Sequence, residues 1–403
     1  MRKIDLNNFQ VATSETVRDI NSRIMLNLVR RHQPVSRADL MRRSGLQRST
    51  VSMITGRLLS ERLLVEGALG DLPRGRKPTF LLLNPNHCGV IGVDVQPEST
   101  TVAVASMDGQ LLAQESMPTA RDPEEFIARL GRRCRDLVRA HPRPSYEGIG
   151  ISLPGRIDEV SQHLIFAPTL GWTDLDLKAP LEKATGLKVS LENAANACAL
   201  AELWSGRHME GIRNLVAVTV SDGIDVGLVM NGQLVRGAGG LAGEFGHVTQ
   251  APDGFLCRCG NRGCWETLAS NAAAVRYYGE LTRVRKGEIG SKSNMASVPF
   301  SDLLRLVEQG DTLACKALDK MAHHLGNGIA MLVTGLAPDL LIVVGNIARV
   351  WHRVEPIVLR SIQTKSFTRA RTKILAADPA EQLRLRGTVA LVLQKHFGAP
   401  TFA

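Results

Sequence analysis

The apolar positions of the first 86 residues follow helical spacing and then strand spacing. After Ser14, Val17, Ile20, Ile24 and Leu28 recur at intervals that predict a helix ending near His32-Gln33-Pro34. Ser36-Arg37-Ala38-Asp39 has the form of a short capping box opening a second helix through Arg43. Ser44-Gly45-Leu46 follows as a turn, with glycine where a left-handed backbone is tolerated. In the third predicted helix Leu46, Val51, Ile54 and Leu58 face inward, while Gln47, Arg48, Ser49, Ser52 and Arg57 face outward. Leu63-Leu64-Val65-Glu66 and Thr79-Phe80-Leu81-Leu82-Leu83 then read as two strands of a hairpin around the tip Pro73-Arg74-Gly75-Arg76-Lys77-Pro78.

From Cys88 onward the pattern becomes one of buried strands. Gly89 to Val95, Thr101 to Ala105 and Leu111 to Ala113 are predicted strands, with Met107-Asp108-Gly109-Gln110 as a hairpin turn, a helix over 123–140 and a buried strand at Gly148 to Leu153. A second round begins near residue 214, with strands at Leu215 to Val220 and Gly227 to Leu234 and another at Leu340 to Val344. Two α/β halves of similar plan predict two lobes closing on a cleft, with a helix from Ala194 to Gly206 starting inside it.

Charge changes this picture at one end. Residues 1–86 hold 15 Lys/Arg against 7 Asp/Glu, so +8 of the formal +10 belongs to the helical segment. Two short helices joined by a glycine turn, followed by a basic hairpin, fit a winged helix-turn-helix. Its third helix would enter a major groove, and Arg74 and Arg76 at the wing tip would reach a minor groove. A three-helix protein-docking module with solvated basic residues fits the same pattern. No run approaches the roughly 18 to 20 apolar residues of a bilayer span, and Met1 to Gln10 lacks the apolar core of a signal peptide, so a cytoplasmic protein without membrane association is expected.

Of seven cysteines, Cys257, Cys259 and Cys264 crowd into eight positions, which argues for a metal rather than a disulfide framework. The spacing is not that of common zinc fingers, and unliganded thiols fit it too. Gly237 to His247, with the run Gly-Ala-Gly-Gly-Leu-Ala-Gly-Glu-Phe-Gly-His, precedes Cys257-Arg258-Cys259-Gly260-Asn261-Arg262-Gly263-Cys264-Trp265-Glu266. Together they resemble the signature of the ROK family of sugar kinases and repressors, and the helix-turn-helix in front resembles its repressor branch, the N-acetylglucosamine and xylose repressor type.

The resemblance implies an α/β fold in which the N-terminal winged helix-turn-helix (1–86) is followed by a two-lobed actin-like, ribonuclease-H-like domain (87–403). Lobe one would take about 87–192 plus a C-terminal helix near 383–397, and lobe two about 193–382. It also implies a structural Zn2+ held by His247, Cys257, Cys259 and Cys264, with no open position for an activated water. The sugar residues carried over are Gly155, Arg156, Asn193, Glu244, His247 and Glu266.

The departures from the kinases lie on the nucleotide and proton-transfer side. Their Glu-Asn-Asp-Ala run carries a general base, whereas here it is Glu192-Asn193-Ala194-Ala195, and Ala194 cannot take a proton. Their first phosphate loop is replaced by Asp94-Val95-Gln96-Pro97-Glu98 and their second by Ser221 to Gly227, while Val344-Gly345-Asn346 keeps one glycine of the usual run. Thr169 stands where the kinases tend to have Asn. What is expected is a catalytically inactive, sugar-responsive DNA-binding regulator, a homodimer or homotetramer on a double-stranded operator. Its effector would be a sugar or, since Ala194 removes a negative charge, a sugar phosphate. The competing readings are an active sugar kinase with a DNA-binding appendage and a regulator controlled by a protein partner.

Overall fold

The computed structural model describes residues 14–69, 79–205, 211–286, 298–365 and 371–398. Helix α1 (Ser14–His32) leads through β1 (Val35–Ser36) into α2 (Arg37–Ser44) and α3 (Arg48–Ser60), and β2 (Leu64–Leu69) and β3 (Thr79–Leu83) follow. The Ser36 hydroxyl accepts from the Asp39 amide while the Asp39 carboxylate accepts from the Ser36 amide, so both halves of the capping box are present. Such a cap contributes about 1 kcal/mol. Gly45 ends α2 at φ 71°. Sequence reading missed β1, a two-residue strand that pairs antiparallel with β3 and makes the wing three-stranded, in the order β1-β3-β2.

The rest of the chain repeats one strand plan twice. In the first round β4 (Gly89–Val95), β5 (Ser99–Ser106) and β6 (Leu111–Pro118) form an antiparallel meander, and α4 (Pro123–Ala140) carries the chain back to β7 (Tyr146–Leu153), parallel to β4. A small sheet of β8 (Arg156–Ile157), β9 (Leu164–Ala167) and β10 (Trp172–Leu175) and then α5 (Lys178–Thr185) precede β11 (Val189–Asn193), parallel to β7. Helix α6 (Ala194–Ser205) joins the two rounds.

In the second round β12 (Leu215–Val220), β13 (Ile224–Met230) and β14 (Gln233–Val235) form the meander. After α7 (Trp265–Ala269), α8 (Asn271–Lys286), α9 (Phe300–Glu308) and α10 (Thr312–Leu336), β15 (Leu340–Val344) lies parallel to β12. Helix α11 (Trp351–Lys365) leads to β16 (Lys373–Ala376), parallel to β15, and α12 (Leu383–Phe397) ends the fold. The sheet orders β11-β7-β4-β5-β6 and β14-β13-β12-β15-β16 are therefore one topology used twice. Strand β13 begins at Ile224 rather than Gly227, which leaves Ser221 to Gly223 as a tight turn.

Helix α12 packs on β4 and β7, α6 packs on β12 and β13, and the two helices pack on each other between the sheets. They approach so closely at Gly387 that a Cβ there would lie 1.8 Å from the Ala197 carbonyl oxygen. The N-terminal segment is not an independent bead. Met25, Leu26 and Val29 of α1 and Val51, Ile54 and Leu58 of α3 share one buried cluster with Val90 and Ala105 of the first sheet, the flanking Cys88 and Met107, and Val389, Leu393 and Phe397 of α12. Burial of each of the Val, Leu, Ile, Met and Phe side chains contributes roughly 1.5–3 kcal/mol.

Polar groups add direction to this contact. Arg23 Nη1 donates to the carbonyls of Lys395 (2.8 Å) and Gly398 (3.0 Å), and Asn27 Nδ2 donates to that of Phe397 (2.7 Å). These are terminal carbonyls of α12 that lack a helical partner, and a cation at a helix C-terminus is favoured by the dipole. Among the described residues no helix is long and apolar enough to cross a membrane.

Candidate functional site

The interlobe cleft opens where β11 gives way to α6. Its lining includes Gly155, Arg156, Asn193 and Glu244 of the predicted set, together with Glu192, Asn196, Asp225 and Arg236. Asn193 does two jobs in the cleft. Its Oδ1 accepts from the amides of Ala195 (2.8 Å) and Asn196 (3.3 Å), capping the first turn of α6, and its Nδ2 donates to the Gly155 carbonyl at 3.0 Å. Behind it Glu192, 5% exposed, accepts from Arg236 Nη2 (2.6 Å) and Nε (3.0 Å) and from Asn196 Nδ2 (2.9 Å). That carboxylate is fully paired and holds its neighbours in place.

Asp225 and Glu244 are different. Among the described residues neither carboxylate makes a hydrogen bond to the protein, and His247 Nε2 stands 3.6 Å from Glu244 Oε2. Burial, reinforced by Glu244, pushes the Asp225 carboxyl from 3.8 up to about 6, and burial likewise raises Glu244. Two under-bonded acceptors in a polar cleft are what a ring of hydroxyls can satisfy.

Glu244 is aimed by the backbone before it. Gly243 sits at φ 102°, and a Cβ there would come within 2.0 Å of the Val226 carbonyl oxygen. This close approach brings the Glu244–His247 turn onto β13. His247 then faces two ways, with Nε2 toward Glu244 and Nδ1 3.6 Å from Glu266 Oε1 and 3.5 Å from Cys257 Sγ. Neither His247 nor Glu266 lines the cleft itself. They stand behind Glu244, and Glu266 lies against Cys257 Sγ at 2.9 Å.

His247, Cys257, Cys259 and Cys264 bring their ligand atoms within 4.8 Å of one another. Three thiols and an imidazole so placed fit a four-coordinate, borderline-soft cation. The loop that carries the thiols is pinned from outside. Trp265, next to Cys264, is wholly buried against α10 and donates its Nε1 proton to the His324 carbonyl at 3.0 Å.

A second cavity is lined by Asp94, Gln96, Gly345, Asn346, Pro379 and Arg384. Here the acid is already bonded, with Asp94 accepting from Ser152 Oγ (2.6 Å) and Gln96 Nε2 (2.7 Å). Thr169 lines neither cavity, and its hydroxyl is shielded without a hydrogen bond.

In the helix-turn-helix, Gln47, Arg48, Ser49, Ser52 and Arg57 are exposed on one face, together with Met53. Gln47 stands at the N-cap without a capping bond. Arg57 is ion-paired with Glu61 at 2.7 Å. Arg74 and Arg76 lie outside the described residues.

A protein-family model described as the ROK family matches residues 90–395. This chain belongs to the ROK family. Among ROK proteins, the xylose repressor of Bacillus spizizenii is 30% identical over 362 residues, 89% of each chain. A solved ROK family transcriptional regulator, a homolog of the E. coli MLC protein, superposes with a TM-score of 0.79 at 24% identity over 95% of this chain and 98% of its own. A ROK glucokinase from Streptomyces griseus, solved with glucose and AMPPNP, gives a TM-score of 0.67 at 27% identity and covers 75% of this chain and 98% of its own. The ROK match begins at residue 90, so the helix-turn-helix lies outside it.

Sequence reading missed three cleft residues. Arg236 precedes the glycine run, Asn196 sits one residue beyond the quoted motif, and Asp225 hides in what reads as a degraded loop. Asn196 is findable, because it follows Glu192 by one helical turn. Arg236 and Asp225 reach the cleft only through strand pairing.

Proposed function

We propose that this protein is a sugar-responsive transcriptional repressor of the ROK type, in which occupancy of the interlobe cleft sets the affinity of the helix-turn-helix for DNA. The observation that carries the reading is the path of α6. Asn193 caps its first turn inside the cleft, and at its other end the Trp204 carbonyl accepts from Arg30 of α1. The Arg30 guanidinium also stacks over the Trp204 ring, 4.5 Å from its centroid, and burial lowers its pKa to about 10. A ligand that re-bonds Asn193 or moves α6 therefore acts on the helix that buttresses α3.

Residues 1–86 form the DNA-binding part and 87–403 the sensor, with α12 counted in lobe one. Arg156, Asn193, Glu244 and Asp225 bind the sugar hydroxyls, with the Gly155 backbone beside them and His247 and Glu266 positioning Glu244 from behind. Zinc held by His247, Cys257, Cys259 and Cys264 supplies a structural clamp between the two stretches that carry Glu244 and Glu266. Gln47, Arg48, Ser49 and Ser52 face base edges and Arg57 a phosphate. The protein works in the cytoplasm as a homodimer or homotetramer whose two recognition helices must match half-sites on one face of the duplex.

The protein is not a kinase. Ala194 offers no base, and both oxygens of Asp94 are already engaged by Ser152 and Gln96. Asp225 returns a carboxylate to the cleft, which places a neutral sugar ahead of a sugar phosphate. The test is fluorescence anisotropy on an operator selected from random duplexes, with a panel of sugars, their phosphates and ATP. Release of DNA by one neutral sugar, with no ATP hydrolysis, supports the reading. ATP-dependent phosphorylation of that sugar would restore the kinase reading, and DNA affinity indifferent to every sugar would leave a partner-controlled regulator.

A further inference from the structure

Among the described residues two groups of His, Cys and carboxylate side chains bring their ligand atoms within 4.8 Å of one another. One is the cysteine loop beside the cleft. The other is Cys88, Glu147 and His396, contributed by the link between wing and sheet, by β7 and by α12. We propose that this second group is a metal site for a divalent cation of the zinc class, placed at the junction between the DNA-binding part and lobe one.

The donor set is one thiol, one imidazole and one carboxylate, the mixture of borderline ligands that zinc accepts, with a fourth position left for water. The thiol is fully buried, while Glu147 and His396 are 13% and 21% exposed at the side chain. His396 Nε2 is shut off from solvent, has no hydrogen bond, and stands 3.5 Å from Glu147 Oε2 without the alignment for one. A buried imidazole nitrogen that meets a carboxylate only at 3.5 Å, beside a thiol, is a weakly satisfied donor set that a cation could complete.

The cation now on Glu147 is the Lys395 ammonium. Lys395 is half exposed, so it can swing into water and yield the carboxylate to an ion entering from that side. The competition makes this site weaker than the three-thiol site. Its place gives it a consequence. Cys88 follows wing strand β3 by five residues, and the chain segment around His396 accepts the Arg23 and Asn27 hydrogen bonds from α1. An ion joining Cys88 to His396 ties the interdomain link to the helix on which the DNA-binding part is seated.

The test is zinc titration of the intact protein against a chromophoric chelator, with bound metal counted per chain. Two equivalents are expected, a tight one and a weaker one. Cys88→Ser and His396→Gln should each lose only the weaker equivalent, and Lys395→Met should bind it severalfold more tightly. Saturation of the weaker site should also slow amide exchange at residues 84–88. A single equivalent in the unaltered protein overturns the proposal, as does a second equivalent that survives both substitutions. His396→Gln leaves the buried thiol in place, so it decides the matter if Cys88→Ser fails to fold.

Discussion

The two cavities contain acids of the same kind in opposite states. In the interlobe cleft Asp225 and Glu244 are part-buried, raised in pKa and, among the described residues, without hydrogen bonds to the protein. In the other cavity Asp94 is more deeply buried, at 6% exposure, and receives bonds from Ser152 and Gln96. A site that waits for a ligand keeps acceptors unsatisfied and bears their desolvation cost, whereas one that has ceased to bind folds its polar groups into the structure. Under the proposed function, retention at one site and closure at the other are what set a sensor apart from an enzyme.

The comparison can be attacked where it is strongest. Glu244→Ala should weaken binding of the effector sugar by roughly 10- to 100-fold, the loss expected for a hydrogen bond to a charged acceptor, as read by calorimetry. An unchanged affinity would mean that Glu244 is not an open acceptor for sugar.

Asp225→Asn probes the same side through pH. With the folded pKa raised from 3.8 to about 6, the carboxyl contributes its stability below pH 4, and that contribution is lost as pH rises through 6. The substitution should therefore raise stability by about 2 kcal/mol at pH 8 and by nothing at pH 4 in urea melts, while reducing sugar affinity. A gain at both pH values would refute the buried-acid account.

On the closed side, Ala194→Asp restores a base without reopening the phosphate loop. It should yield no ADP in a coupled assay, and measurable turnover would show that the nucleotide cavity still functions. The smallest effect belongs to Gln96→Ala, which removes one of two bonds to Asp94. A loss of about 1 kcal/mol is expected, with no melting shift from ATP. An ATP-induced shift in that variant would show that Gln96 alone keeps the cavity shut.

Much of this was legible in the chain. Apolar spacing located α1, α3, β4, β7, β12 and β15, because each element buries one face of its own periodic pattern. The Ser36–Asp39 box and the Gly45 turn were readable because their hydrogen bonds close within a few residues. The crowding of Cys257, Cys259 and Cys264 marked a cluster that could hold a metal for the same reason, and the alanine at 194 was visible beside its motif. The start of β13 was misjudged, since Gly223 and Gly227 read as loop while pairing with β12 draws Ile224 into the sheet.

What tertiary structure alone decided are the meetings of distant residues. Arg236 reaches Glu192 across 44 positions, Arg30 reaches Trp204 across 174, and Cys88 joins His396 only because α12 returns to the first sheet. Local periodicity and capping are fixed by bonds between near neighbours in sequence. Which acid finds a cation, which thiol finds an imidazole and which helix end touches the DNA-binding part depend on how two repeated sheets pack around α6 and α12, and no local pattern carries that information.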